Sequence, residues 1–94
     1  MLKAVCNIKT STIKDKFYIV NEDNNEIIFS QEYNLLDILE YTDFLDMIHL
    51  YNCKEINLYG NMKYIKHHKQ RIQSDLDDRY GKNSIVVTAS EVNK

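Results

Sequence analysis

The stretch from Lys54 to Ala89 constrains the fold more than any other part of the chain. Lys54-Glu55-Ile56-Asn57-Leu58-Tyr59 alternates polar and apolar residues and stops at Gly60, the pattern of a half-buried strand. Met62, Ile65, Ile72, Leu76 and Tyr80 then recur at helical spacing, with Asn61 placed as N-cap and Gly81 as the C′ residue. Ser84-Ile85-Val86-Val87-Thr88-Ala89 is a short β-branched run, which predicts a strand covered on both faces. Strand, helix, strand in this order is a βαβ unit with parallel strands and a right-handed crossover. The punctuation agrees, because Gly60 and Gly81 are the only two glycines in 94 residues and there is no proline. Turns elsewhere fall to Asn, Asp, Ser and Lys.

The first thirty residues carry a different signal. Leu2, Ala4, Cys6 and Ile8 alternate with Lys3, Val5, Asn7 and Lys9, which predicts a strand with one face in the core. Thr10 to Asp15 reads as a turn, Phe17 to Val20 as a second strand, Asn21 to Asn25 as a turn cluster, and Glu26 to Ser30 as a third strand. Together they predict a three-stranded antiparallel meander. Asn34 to Tyr51 is rich in helix formers, but its apolar residues take two sides. Leu35, Leu36, Leu39 and Leu50 share one side; Tyr41, Phe44, Leu45, Ile48 and Tyr51 share the other. Such a helix is sandwiched inside the protein, for which a domain this small offers few neighbours, or kinked near Thr42, or packed against another chain; the Tyr41 side is the expected protein interface.

Length and charge narrow the class. Ninety-four residues make one domain spanning 1–94 with a polar tail at 90–94, and a domain this small gains from burial against a partner. A net charge of −2 excludes a globally basic nucleic-acid binder and leaves room only for a local patch. Cys6 and Cys53 fit no metal or redox spacing, and no run of about 20 apolar residues occurs. A cytoplasmic protein with reduced thiols, no membrane segment, no cofactor and no metal is expected. Ten Lys against two Arg, with ten Asn, points to AT-rich coding of the kind found in low-GC bacteria and their phages, so a phage or mobile-element source is expected.

The basic patch lies in the second helix. Lys63, Lys66, His67, His68, Lys69 and Arg71 occupy its first half, and Asp75, Asp77 and Asp78 its second. This order opposes the helix macrodipole, so helix stability does not explain it. An anion at the helix N-terminus would, which makes Lys63, Lys66, His67, Lys69 and Arg71 the candidate nucleic-acid-binding residues, with Tyr59 and Tyr64 near for stacking. The alternative is a solvated face with Arg71–Asp75 and Asp75–Arg79 pairs at i,i+4. Adjacent His67 and His68 point about 100° apart and cannot chelate one ion as an i,i+4 pair would.

The element order βββαβαβ, in an α/β (α+β) chain, resembles that of the ribonuclease H-like fold. The stretch Asn52 to Ile65 resembles the family's fourth strand and the opening of its next helix, with Asn61 where the family carries a catalytic Asp. Asn34-Leu35-Leu36-Asp37 resembles the family's Asn-x-x-Glu, and Ala4 to Thr10 resembles its Asp-bearing first strand, with Asn7 at the acid position. The resemblance implies a five-stranded mixed sheet, three strands antiparallel and two in a parallel βαβ unit. It also implies a degenerate site at Asn7, Asp37 and Asn61. Two-metal phosphodiester hydrolysis requires converging carboxylates, and amides at two of three positions remove two negative charges. The sequence given ends before the segment carrying the family's further acid, with only Glu91 in its tail, a second argument against catalysis. The expectation is a non-catalytic ribonuclease H-like binding module acting by protein contact, with a protein partner or a homodimer. The alternative is a binder of RNA or hybrid duplex through the basic half-helix.

Overall fold

The computed structural model describes residues 1–8 and 14–91; the turn expected from Thr10 lies mainly outside these residues, as does most of the polar tail. The elements follow the order β1 (Leu2–Ile8), β2 (Asp15–Asn21), β3 (Glu26–Tyr33), α1 (Ile38–Leu50), β4 (Glu55–Gly60), α2 (Met62–Tyr80) and β5 (Val86–Glu91). The strands form one mixed sheet in the order β3-β2-β1-β4-β5. β1 pairs antiparallel with β2 and β2 with β3, whereas β1 with β4 and β4 with β5 are parallel. This is the architecture of the ribonuclease H-like fold. No helix of the described residues is long and apolar enough to cross a membrane.

Both crossovers, β3 to β4 through α1 and β4 to β5 through α2, step across the sheet in the same direction. Right-handed connections therefore lay both helices on the same face. The core follows from this. Ala4, Cys6 and Ile8 of β1, Phe17 and Ile19 of β2, Ile56 and Leu58 of β4, and Val87 of β5 form one buried cluster with residues of both helices. The alternate residues Lys3, Val5 and Asn7, Tyr18, and Asn57 and Tyr59 consequently stand on the face that carries no helix.

Asparagine does supply the turns. Asn25, Asn52 and Asn83 all adopt φ near +60°, and the Asn21 and Asn24 side chains accept from the backbone N–H groups of Asp23 and Glu26 at 3.0 Å. The β2–β3 register shifts by one residue between Ile19 and Val20, which face Phe29 and Ile27, so Ile28 is the extra residue of a bulge.

Three expectations are corrected. Tyr41, Phe44, Leu45 and Ile48 are not an interface, because α1 turns this side onto the sheet and buries it in the domain's own core; Tyr51 packs against that core as well. Phe44 meets Phe17 edge-on at 5.2 Å, a contact of the kind that fixes aromatic cores. The helix needs no kink at Thr42, because it starts only at Ile38 and leaves Leu35 and Leu36 outside it. Leu35 turns into the core while Leu36, Ile38 and Leu39 remain exposed. Finally, β5 is an edge strand covered on one face: Val87 is buried and Val86 is 43% exposed.

Candidate functional site

The three positions of the degenerate site are held by different local needs. Asn7 sits on β1 opposite Lys16 and Tyr59, and strand alternation points it away from buried Cys6 and Ile8, onto the helix-free face. Asp37 is the N-cap of α1; its Oδ1 accepts from the N–H groups of Leu39 at 3.0 Å and Glu40 at 3.2 Å. It stands before the first helical turn rather than within it. Asn61 is the N-cap of α2, its Oδ1 accepting from Lys63 N–H at 2.9 Å.

Arg71 donates to the Leu35 carbonyl at 2.8 Å, tying the segment before α1 to the middle of α2. Asn61 follows Gly60, the register partner of Ile8, so it lies near Asn7 where β1 and β4 end, whereas the Asp37 carboxylate is engaged by the backbone of the other helix. Among the described residues no group of three or more His, Cys, Asp or Glu side chains is arranged to hold a metal.

The basic half-helix divides into two. Lys63, Lys66, His67 and Lys69 are exposed, and none of them forms an ion pair among the described residues. Lys63 Nζ lies 5.9 Å from the Tyr64 ring centre. Arg71 is different: besides its bond to Leu35, its guanidinium stacks 3.7 Å above the Tyr41 ring. It clamps α1 to α2 and is withdrawn from the nucleic-acid set.

The expected intrahelical pairs are replaced by contacts between helices. Asp75 accepts from the Tyr41 hydroxyl, and Arg79 binds Asp46 at 2.9 Å. Burial and the Asp75 carboxylate raise the Tyr41 phenol well above its ordinary pKa, so it stays a donor. At the far end His49 stacks on Tyr80 at 4.0 Å. Arg71→Ala should cost about 1–3 kcal/mol by orphaning the Leu35 carbonyl and removing the stacked cation. Arg71→Lys should recover only part of this in urea unfolding, because an ammonium lacks the planar fork.

Two side chains escaped the sequence reading. His68 stands three residues after Ile65 and four before Ile72, on the apolar stripe, and is 95% buried with no partner for Nδ1 among the described residues. Its spacing was visible, but its charged neighbours grouped it with the basic patch. Burial first, then Arg71 and His67, push its pKa below the ordinary 6.5. Protonation thus favours the unfolded chain: the contribution of His68 is complete above about pH 6.5 and is lost as pH falls toward the lowered value. Urea unfolding should show stability dropping between pH 7 and 5 by no more than about 1.4 kcal/mol per pH unit from this group. His68→Leu should flatten that limb relative to the unmodified chain.

The second is Gln73. Its Nε2 donates to the Ile85 carbonyl at 2.9 Å, and its Oε1 accepts from Val87 N–H at 2.9 Å. A side-chain amide thus takes the place of one residue of a neighbouring strand on the outer edge of β5. Beside it, a groove of about 520 Å³ between α2 and β5 is lined by Lys66, Lys69, Gln73, Asp77 and Val87, among others.

Against known proteins, the fold is shared at low identity. No protein-family model and no curated protein matches the chain. Among solved structures, Pelota of Archaeoglobus fulgidus superposes with a TM-score of 0.59 at 12% identity, covering 99% of this chain and 27% of that one. The Aquifex aeolicus member of the Ppx/GppA family gives 0.55 at 12% identity, covering 97% and 35%. The chain therefore spans about a quarter to a third of the proteins it resembles, and the likeness is one of fold.

Proposed function

We propose that this chain is a non-catalytic ribonuclease H-like binding module, distantly related to that family, that acts by protein contact. The observation that carries the reading is the start of α1, where Leu36, Ile38 and Leu39 are 56%, 69% and 80% exposed. Three large aliphatic side chains within four residues are a cluster that association would cover. This replaces the Tyr41 side as the contact surface. Absence of catalysis is supported by amides at two of the three matched positions, Asn7 and Asn61, and by the use of Asp37 and Asn61 as helix caps. Sedimentation velocity up to several hundred micromolar should show reversible self-association through this cluster, weakened at least about tenfold by Ile38→Glu with Leu39→Glu. A monomer at every concentration would contradict it. Cleavage of hybrid duplex in Mg²⁺ or Mn²⁺ that Asp37→Ala abolished would contradict the absence of catalysis.

A second reading rests on Lys63, Lys66, His67 and Lys69 at the start of α2, exposed and without acidic partners among the described residues. It predicts binding of RNA or hybrid duplex that falls steeply between 50 and about 200 mM salt and is lost in Lys63→Glu with Lys66→Glu. Binding that ignores salt or these substitutions would sink it.

A further inference from the structure

The outer edge of β5 is half occupied. Val86 N–H points inward to the Lys54 carbonyl at 3.0 Å, so alternation turns the N–H and C=O groups of residues 85, 87, 89 and 91 outward. Gln73 takes two of these, the Ile85 carbonyl and the Val87 N–H. The Val87 carbonyl, both groups of Ala89 and the Glu91 N–H receive no side chain of this kind among the described residues. They form a free edge of the sort that templates another strand.

The helix beside this edge carries the unexplained charges. α2 runs antiparallel to β5, with Gln73 level with residues 85 to 87. Four residues toward the start of α2 advance about 6 Å, and two residues along β5 advance about 6.6 Å. Lys69, with Lys66 one turn further, therefore flanks the free groups around Ala89, and both lysines line the groove with Val87. The acid at the other end of the groove is already spent: Asp77 Oδ1 accepts from Gln73 Nε2 and from Asn83 N–H, each at 3.0 Å. What the groove offers an incoming chain is thus a row of backbone partners beneath two cations that form no ion pair among the described residues.

We infer that the β5 edge binds an extended acidic peptide segment by strand addition, with Lys66 and Lys69 receiving its carboxylates. Gln73 fixes where pairing stops, because it fills the edge on the side of residues 85 to 87. Side chains of an added strand alternate between two environments, the lysine-lined groove and the helix-free face beside exposed Val86. The segment recognised therefore alternates acidic with β-branched residues. This deepens the reading of the domain as a protein-binding module by supplying a surface and a partner chemistry separate from the aliphatic cluster of α1.

The test uses the full chain and a fluorescent heptapeptide alternating Glu with Val, followed by anisotropy, with the matching Lys–Val peptide as control. The Glu peptide should bind and the Lys peptide should not. Lys66→Glu with Lys69→Glu should weaken binding at least about tenfold. Ala89→Pro removes an outward N–H that β4 does not use, so an edge strand tolerates it, and it too should abolish binding while leaving the circular dichroism spectrum unchanged. Equal binding by Ala89→Pro would overturn strand addition and leave only attraction between opposite charges; no binding by the unmodified chain would overturn the proposal outright. Ile38→Glu with Leu39→Glu should bind the peptide normally, so failure here and failure of α1-mediated association are read separately.

Discussion

Gly60→Ala is expected to cost about 4 kcal/mol or more, at the severe end of single substitutions and well above the same change at Gly81. A Cβ at this position would stand 2.1 Å from the Ile8 carbonyl oxygen, a main-chain atom. Gly60 also has φ of +137°, which side chains rarely adopt. Side-chain rotation cannot relieve either problem, because Ile8 and Gly60 are register partners where β1 and β4 end side by side and the clash is with main chain. Domains of this size are stable by roughly 5–15 kcal/mol, so the variant should be largely unfolded at low urea. Gly81→Ala provides the comparison. Its Cβ would meet only the Ser84 hydroxyl at 3.1 Å, and with φ of +104° the cost should stay near 1–2 kcal/mol. Equal urea midpoints for the two variants would contradict the close approach at Gly60.

Phe44→Ala should cost about 3–5 kcal/mol. Its ring is fully buried among Phe17 at 5.2 Å, Tyr33 at 6.0 Å and Tyr41 at 6.1 Å, so truncation leaves a cavity among these rings. Leu39→Ala, on the opposite side of the same helix, should change stability by less than about 0.5 kcal/mol. The pair separates the inner face of α1 from the outer in one experiment. Were Phe44 on a docking face, its truncation would leave the monomer's stability unchanged and act on association instead.

The contrast between these residues marks how far the sequence could be read. Alternation in β1 and β4 was legible because each strand has one face on the core and one without a helix, and the same alternation already set Asn7 apart from Cys6 and Ile8. The βαβ unit was legible because its caps, Asn61 and Gly81, sit at both ends of the stripe they bound. The direction of α1 was not. Two apolar sides are equivalent in a pattern, and only the packing of α1 beside α2, through Arg71, Tyr41 and Asp75, settles which one faces the sheet. Resemblance of short motifs aligned Asn7, Asp37 and Asn61 along the chain without showing that Asp37 and Asn61 serve as helix caps. The Gln73 amide on β5 left no trace in the sequence, since it joins residues twelve and fourteen apart through tertiary geometry alone.

The proposed contact runs through the exposed start of α1. Amide hydrogen exchange, followed by mass spectrometry at about 5 and about 500 μM protein, tests it most directly. Extra protection is expected at high concentration in peptides covering Leu36 to Glu40, and none in those covering the buried Phe44 to Ile48 turn. Exchange that is identical at both concentrations, or protection confined to another surface, would contradict it.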